Sequence, residues 1–248
     1  MRDVELDLPG FRHEALFYAD DEELLAGVLP VIRDALARAA GVLIALPRPS
    51  ARILREALGP AEVTYADMEA LGRNPGRIIP AWRDFVRDHA TGSSLPLGIG
   101  EPAWPGRSDD ELVECSRHET LLNLAFSSGP PWRLLCPYDA SRLDPEVLER
   151  ARHNHPYVVE HGAEATTAFR REIPGDEPLP DPGAEPTELR FAFGDLSAVR
   201  EFVSAHARRA GLPRARIADL VLAVDELATN TLRYAPGDGV VRAWQENG

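Results

Sequence analysis

The chain has 248 residues, 44% of them hydrophobic, and a formal net charge of −13. This length suits one large domain or two small ones. The negative charge argues against nonspecific binding to nucleic acid or to an anionic membrane, since both require a basic surface. No apolar run approaches the roughly 20 residues of a membrane helix, and the N-terminus lacks the apolar centre of a signal peptide, so we expect a cytoplasmic protein.

All 27 basic residues are arginine, and lysine is absent. This excludes a phosphate loop that ends in Gly-Lys-Ser/Thr, and it excludes a lysine Schiff base or a lysine general base. The two cysteines, Cys115 and Cys136, lie in apolar segments, which predicts reduced, buried thiols rather than a disulfide.

Apolar runs and amphipathic patterns alternate along the first part of the chain. They predict strands at residues 11–19, 42–46, 62–65, 95–99 and 132–138. They predict helices at residues 21–40, 49–58, 78–89, 109–126 and 145–153. The first helix has Asp20 or Asp21 as its cap and ends at Gly41. Such alternation indicates an α/β domain with a mainly parallel sheet and helices on both faces.

Ligands of such sheets bind beyond the carboxyl ends of the strands. Those ends carry Pro47-Arg48, Gly100-Glu101 and Pro137-Tyr138-Asp139. Glu101, Trp104 and Tyr138 are therefore ligand candidates, with structural turn chemistry as the alternative for each.

Charged and histidine-containing stretches offer further candidates. Arg117 and Glu119 are either an ion pair on a helix or part of a pocket. His153 and His155, with Glu160 and His161 nearby, could suggest a metal. Helix capping and loop packing are the preferred interpretation, because residues two apart share a face only in a strand and this stretch is a helix end. No nucleophile constellation is indicated, because Cys115 is expected in the core.

The span 172–188 holds five prolines, six acidic residues and no basic residue. This composition predicts an extended linker between a first domain at 1–171 and a second at 189–248. The second domain begins with a strand at 189–193 and a helix from Asp195 or Ser197 to about Ala210. A long helix then starts near Pro213 and ends near Pro236, before a final strand at 240–244.

The long helix has an apolar and a polar face. The residues expected to face a core are Leu220, Val221, Val224, Leu227, Ala228 and Thr231. Glu226 and Asn230 lie four residues apart and therefore on one face. A carboxylate and a carboxamide so placed can position a water and hold Mg²⁺ through oxygen. From the spacing alone, the polar flank of a surface helix is the alternative.

Five stretches of the first domain carry a resemblance to a known family. They are His13-Glu-Ala-Leu-Phe-Tyr18, Gly100-Glu-Pro-Ala-Trp104, Arg117-His-Glu-Thr-Leu-Leu-Asn123, Leu135-Cys-Pro-Tyr-Asp139 and His155-Pro156. Together they resemble the MEDS sensory domain over residues 11–160, a domain of signalling proteins that detect small organic molecules. The resemblance implies an α/β fold like that of RecA-type domains without the phosphate loop, which fits the missing lysine. It implies ligand-binding roles for His13, Tyr18, Glu101, Trp104, Arg117, Glu119, Tyr138 and His155.

The second domain also resembles a known family. Its order of strand, helix, helix and the segment Leu222–Ala235 resemble the N-box half of the GHKL ATPase fold, and most of all its anti-sigma-factor serine-kinase branch. The resemblance implies that Glu226 is the general base and that Asn230 holds the Mg²⁺ that bridges to ATP. It places Arg233 near phosphate and Tyr234 at a position where an aromatic residue or histidine is common. Kinases of that branch transfer the γ-phosphate of ATP to a serine of an antagonist protein and sequester a sigma factor.

The sequence after the N-box departs from that family. It has no Asp-x-Gly-x-Gly box for adenine and no second glycine-rich box, and Pro236-Gly-Asp-Gly239 is only a turn. We therefore expect a truncation of a longer protein. Packing on the first domain or pairing with another chain, a homodimer included, are the alternatives.

Two functions stay open. In the first, the protein is a sensor of a small organic molecule coupled to an anti-sigma-type kinase. ATP and Mg²⁺ would be its cofactors, and a sigma factor or its antagonist its partner. In the second, it is a non-enzymatic sensory or protein-binding module whose kinase-like part is inert.

Overall fold

The computed structural model describes residues 10–90, 95–160, 162–167, 169, 185–235 and 237–245. The chain divides into two compact units, residues 1–177 and 178–248. Most of the linker predicted at 172–188 lies outside the described residues, as does His161.

A seven-stranded sheet forms the centre of the first unit. Its strands are β1 (Phe11–Tyr18), β2 (Val42–Leu46), β3 (Thr64–Asp67), β4 (Leu97–Gly100), β5 (Trp132–Asp139), β6 (Tyr157–Glu160) and β7 (Ala163–Thr166). Their order across the sheet is β3-β2-β4-β5-β1-β6-β7. Every neighbouring pair is parallel except β6 and β7. The predicted α/β fold with a mainly parallel sheet is therefore confirmed.

Helices cover both faces of this sheet. They are α1 (Asp21–Ala37), α2 (Arg48–Leu58), the short α3 (Met68–Leu71), α4 (Ile78–His89), α5 (Asp109–Ala125) and α6 (Pro145–Asn154), with a 3₁₀ turn at Pro75–Arg77. Side chains of α1 and α2 pack into a core on one face. Those of α3, α4, α5 and α6 pack into a second core on the other face, around Trp82 and Trp132.

The central strands supply both cores. All five residues of β2 are buried, as expected for a strand covered by helices on both faces. In β1 the side chains alternate: Phe11, Ala15 and Phe17 enter the core under α5, whereas Leu16 and Tyr18 enter the other. His13 lies in register with the first set and therefore points toward α5.

Helix ends and the sheet edge differ from the prediction. Helix α1 ends at Ala37 instead of near Gly41, and Ala39 adopts the left-handed conformation with φ of 55°. Asp20 is its cap, because the Asp20 carboxylate accepts the Glu23 N–H. The sequence pattern does not predict β6 and β7, because each strand has only four residues and alanine is the only apolar residue type of the exposed β7.

The second unit contains β8 (Thr187–Phe191), α7 (Leu196–Arg209), α8 (Arg214–Tyr234) and β9 (Gly239–Ala243). Strands β8 and β9 are antiparallel. Its core consists of Phe191, Val199, Val203, Ala228 and Leu232. These elements agree with the predicted second, smaller α/β module at the C-terminal end of the described chain.

Two details of the second unit correct the prediction. Val221 and Val224 of α8 pack against the core, but Leu220 and Leu227 are exposed, the latter by 65%. Helix α7 and the two strands cover only a narrow stripe of α8. The prediction that Leu220 and Leu227 face a core is therefore wrong. Asp195 occupies the predicted N-cap position of α7, but its carboxylate accepts the Ala192 N–H instead of a helix N–H.

Among the described residues, no helix has the length and apolar character to cross a membrane. Both cysteines are free and buried, as predicted.

Candidate functional site

A cluster of polar side chains lies in the core of the first unit, beneath α5. It consists of His13 on β1, Glu119 on α5, Cys136 on β5 and His155 directly after α6, and all four are buried. Their nitrogen, oxygen and sulfur atoms lie within 4.8 Å of one another. Such a concentration of polar groups in an apolar core is costly unless the groups have partners.

The parallel sheet brings two of these residues together. Strands β1 and β5 pair with Ala15 opposite Cys136, so His13, two residues before Ala15, points to the same face as Cys136. Helix α5 packs on α6, and this contact brings Glu119 against His155.

Glu119 lies at the centre of the cluster. Its Oε2 atom is 3.0 Å from His13 Nε2 and 3.0 Å from His155 Nε2. Cys136 Sγ is 3.4 Å from His13 Nε2, and the two imidazole rings lie 4.0 Å apart between centroids. Despite these short distances, neither Glu119 Oε2 nor His155 Nε2 has a hydrogen-bond partner.

The outer nitrogens of both imidazoles contact carbonyl oxygens. His155 Nδ1 is 2.8 Å from the backbone oxygen of Ala151, and His13 Nδ1 is 3.1 Å from Asn123 Oδ1. The Asn123 amide is oriented by its Nδ2 atom, which donates to the backbone oxygens of Glu119 and Asn154. A carbonyl oxygen only accepts, so we assign the proton of each neutral ring to Nδ1. When both rings are neutral, their Nε2 lone pairs face Glu119, whereas a ring that also carries a proton at Nε2 donates to it.

Burial and neighbouring charges shift the pKa values of the cluster. Burial, followed by the charge of His155, lowers the pKa of His13 to about 4. Burial alone would raise the pKa of Glu119, but its contacts with His13 and His155 outweigh burial and hold that pKa below its ordinary value. Burial, with the nearby Glu119 carboxylate, raises the pKa of the Cys136 thiol. The protonation states of His13 and Glu119 therefore depend on each other.

A second buried carboxylate, Glu14, has a different environment. Arg12 Nε donates to Glu14 Oε1 over 2.7 Å, and Arg133 Nε donates to Glu14 Oε2. Two guanidinium groups therefore compensate the charge of Glu14. Among the described residues, the ion-pair contacts of Glu119 are all with histidines and none is with arginine.

The predicted ligand residues at the strand ends form separate groups. Tyr18 Oη donates to Glu101 Oε1 over 3.2 Å, at the carboxyl ends of β1 and β4. Burial raises the pKa of Glu101 to about 7, against smaller opposing effects of Ser50 and Tyr18. Trp104 instead lies under the guanidinium of Arg107, 3.6 Å from the ring centroid.

The structure thus divides the eight sensor residues predicted from the sequence. His13, Glu119 and His155 meet in the cluster, with the Tyr138 ring edge-on to His155 at 5.6 Å. Arg117 Nη1 lies 3.9 Å from Glu114 Oε1, so of the two alternatives for Arg117 and Glu119 the ion pair between them is not formed. The sequence analysis did not identify Cys136 as a site residue, because a cysteine in an apolar strand is predicted to be an ordinary core residue.

The N-box residues lie on α8 of the second unit. Glu226, Asn230, Arg233 and Tyr234 are all exposed. The neighbouring Asp225 instead accepts a hydrogen bond of 2.8 Å from Arg200 Nη1 on α7. The polar face of α8 therefore presents carboxylate and carboxamide oxygens to solvent, where a hydrated cation and phosphates could approach.

Comparison with known families agrees with both units. The sequence model of the MEDS domain, the methanogen/methylotroph DcmR sensory domain, matches residues 12–156. The model of the histidine kinase-like ATPase domain matches residues 190–244. No curated protein matches the chain.

The MEDS match spans more than half of the chain and contains all four residues of the buried cluster. A sensory domain followed by a kinase-like ATPase region is the architecture of a signal-transduction regulator. The chain belongs to the MEDS family of sensory domains.

Proposed function

We propose that the protein is a bacterial signalling regulator whose MEDS domain senses a small organic molecule or a partner. Its ATPase-like region would be a module of the anti-sigma-factor serine/threonine-kinase type. The observation that carries this proposal is the presence of both regions in one chain, at residues 12–156 and 190–244. A sigma factor or its antagonist would be the protein partner, and the protein would work in the cytoplasm.

The residues of α8 fit one half of a nucleotide site. Asn230 offers a carboxamide oxygen, and Glu226 offers a carboxylate one turn earlier on the same exposed face. Oxygen ligands of this type suit Mg²⁺, which usually keeps several waters and binds through substrate phosphates. When bound, Mg²⁺-ATP would supply the phosphoryl group. Glu226 would accept the proton of the attacking serine hydroxyl, and Arg233 would contact phosphate.

The exposure of this face of α8 favours the second candidate function, a non-enzymatic sensory or protein-binding module. Tyr234 is 81% exposed and Leu222 is 64% exposed, so α8 is open where a nucleotide pocket would need walls. In this alternative the ATPase-like region is inert, and the protein acts only by sensing or by protein contacts.

Calorimetric titration of the full chain with ATP distinguishes the two functions. The kinase proposal expects Mg²⁺-dependent micromolar binding that Asn230→Ala abolishes. Asp219→Asn, an exposed change near the start of the same helix, is the matched control and should bind as the wild type does. Absence of ATP binding to the wild type would refute the kinase proposal and leave the non-enzymatic one.

A further inference from the structure

We propose that His13, Glu119, Cys136 and His155 bind one divalent transition-metal ion of the Zn²⁺ class in the core of the MEDS domain. All four side chains are buried and their ligand atoms lie within 4.8 Å of one another. This site lies in the first unit, and metal binding there can be measured whether or not the second unit is a kinase.

The spacing of the ligand atoms is close to that of a metal centre. A tetrahedral zinc site has metal–nitrogen bonds of about 2.0 Å and metal–sulfur bonds of about 2.3 Å, which place ligand atoms roughly 3.3–3.8 Å apart. Glu119 Oε2 is 3.0 Å from each Nε2, and Cys136 Sγ is 3.4 Å from His13 Nε2. The other ligand-atom pairs are at most 4.8 Å apart, so side-chain movements of up to about an ångström would admit the ion.

The orientation of the imidazoles is the second observation. Asn123 Oδ1 and the Ala151 carbonyl accept from the two Nδ1 atoms, so both Nε2 lone pairs point into the cluster. Metal-binding histidines are held in this way, with the outer N–H donated to a carbonyl or carboxylate that fixes the tautomer. With both rings neutral, Glu119 Oε2 meets two acceptors, and a metal ion between them would replace the missing donors.

The unsatisfied atoms are the third observation. Glu119 Oε2 and His155 Nε2 are buried without a hydrogen-bond partner. A buried carboxylate without a compensating cation is strongly destabilising. In the same domain Glu14 has Arg12 and Arg133 as counter-charges. A dication would compensate the negative charge of Glu119, as the two guanidinium groups compensate that of Glu14.

The donor set selects the class of metal. Two imidazoles, a thiol and a carboxylate suit Zn²⁺ and neighbouring first-row ions, whereas Ca²⁺ and Mg²⁺ take oxygen ligands. On binding, Cys136 forms a metal–sulfur bond and releases its proton to solvent. The ion would join β1, β5, α5 and the segment that leads into β6.

The test is a titration of the chelator-treated full chain with Zn²⁺ and Co²⁺, together with elemental analysis of the purified protein. We expect one equivalent bound. The Co²⁺ form should show a thiolate-to-cobalt charge-transfer band and the strong visible bands of tetrahedral cobalt. Cys136→Ser should abolish the charge-transfer band, and Glu119→Gln should weaken binding by at least about tenfold.

Two control variants separate this site from other ligands. Cys115→Ser removes the other buried thiol, whose Sγ donates to the Pro102 oxygen outside the cluster. His153→Gln removes the histidine two residues before His155. Both should bind and absorb as the wild type does.

Two outcomes would overturn the proposal. One is a wild type that binds neither ion and lacks the charge-transfer band. This result is obtained with the wild-type protein alone, so it does not depend on whether a variant folds. The four side chains would then form a hydrogen-bonded network without a metal. The other is binding that Cys136→Ser and Glu119→Gln leave unchanged, which would place the metal elsewhere.

Discussion

Glu119 Oε2 and His155 Nε2 lie 3.0 Å apart in the core of the MEDS domain, yet with a neutral His155 ring the two atoms form no hydrogen bond. The outer nitrogen of His155 is already engaged with the Ala151 oxygen, so the ring directs a lone pair toward the carboxylate. When the His155 ring is neutral, two acceptors face each other in an apolar core, where a bound cation would stabilise both.

Removal of the metal should lower the melting temperature of the first unit. An ion present at about 100 times its dissociation constant contributes about 2.7 kcal/mol to stability. For a domain of this size, the expected loss on chelation is on the order of 5–10 °C. Differential scanning calorimetry of the full chain, before and after chelation and again after Zn²⁺ is restored, measures it. An equal response of Cys136→Ser would show that the effect arises outside the cluster.

Asn123→Ala should weaken metal binding without removing a ligand. Asn123 orients His13 through Nδ1 and is itself held by the backbone oxygens of Glu119 and Asn154. Loss of such an orienting partner lowers metal affinity by about 10–100-fold. A Co²⁺ titration should show the weaker affinity with the thiolate charge-transfer band retained. Unchanged affinity would mean that Asn123 does not position His13.

Glu101→Gln should change how stability depends on pH. Burial raises the pKa of Glu101 from 4.5 to about 7, so between these values the folded state binds more protons than the unfolded state. The Glu101 contribution therefore falls as pH rises from about 4.5 to 7, by up to about 3 kcal/mol, and stays low above that range. The variant should match the wild type near pH 4.5 and exceed it at pH 8.

Urea unfolding at several pH values measures this difference. Glu56→Gln, which removes an exposed carboxylate on α2, is the control and should follow the wild-type pH dependence. A wild-type minus Glu101→Gln difference that does not vary with pH would contradict the raised pKa.

Substitutions on the N-box face should leave the fold intact. Glu226 and Asn230 are exposed, so Glu226→Ala and Asn230→Ala should each change the free energy of unfolding by less than about 0.5 kcal/mol. Leu232→Ala on the same helix removes a buried side chain and should cost about 2–4 kcal/mol. Urea unfolding followed by circular dichroism compares them. A large destabilisation by Asn230→Ala would mean that lost ATP binding could not be attributed to the site.

The regular elements were largely accessible from the sequence because they depend on local patterns. The apolar run at residues 42–46 is β2, and the stripe at residues 78–89 is α4, with the predicted bounds. Local patterns fail where burial depends on partners. Leu227 repeats at helical spacing but is exposed, because α7 and two strands cover only part of α8. Strand β7 is exposed throughout and pairs with β6.

The sequence by itself determined the α/β class, the two regions and their family resemblances. It also singled out His13, Glu119 and His155 as separate candidates. Only the tertiary structure decided that these three meet around one carboxylate oxygen and that Cys136 joins them. The reason is physical: the four donors come from two neighbouring strands, a helix and a loop. Their convergence depends on the β1–β5 register and the packing of α5 on α6, which no local pattern encodes.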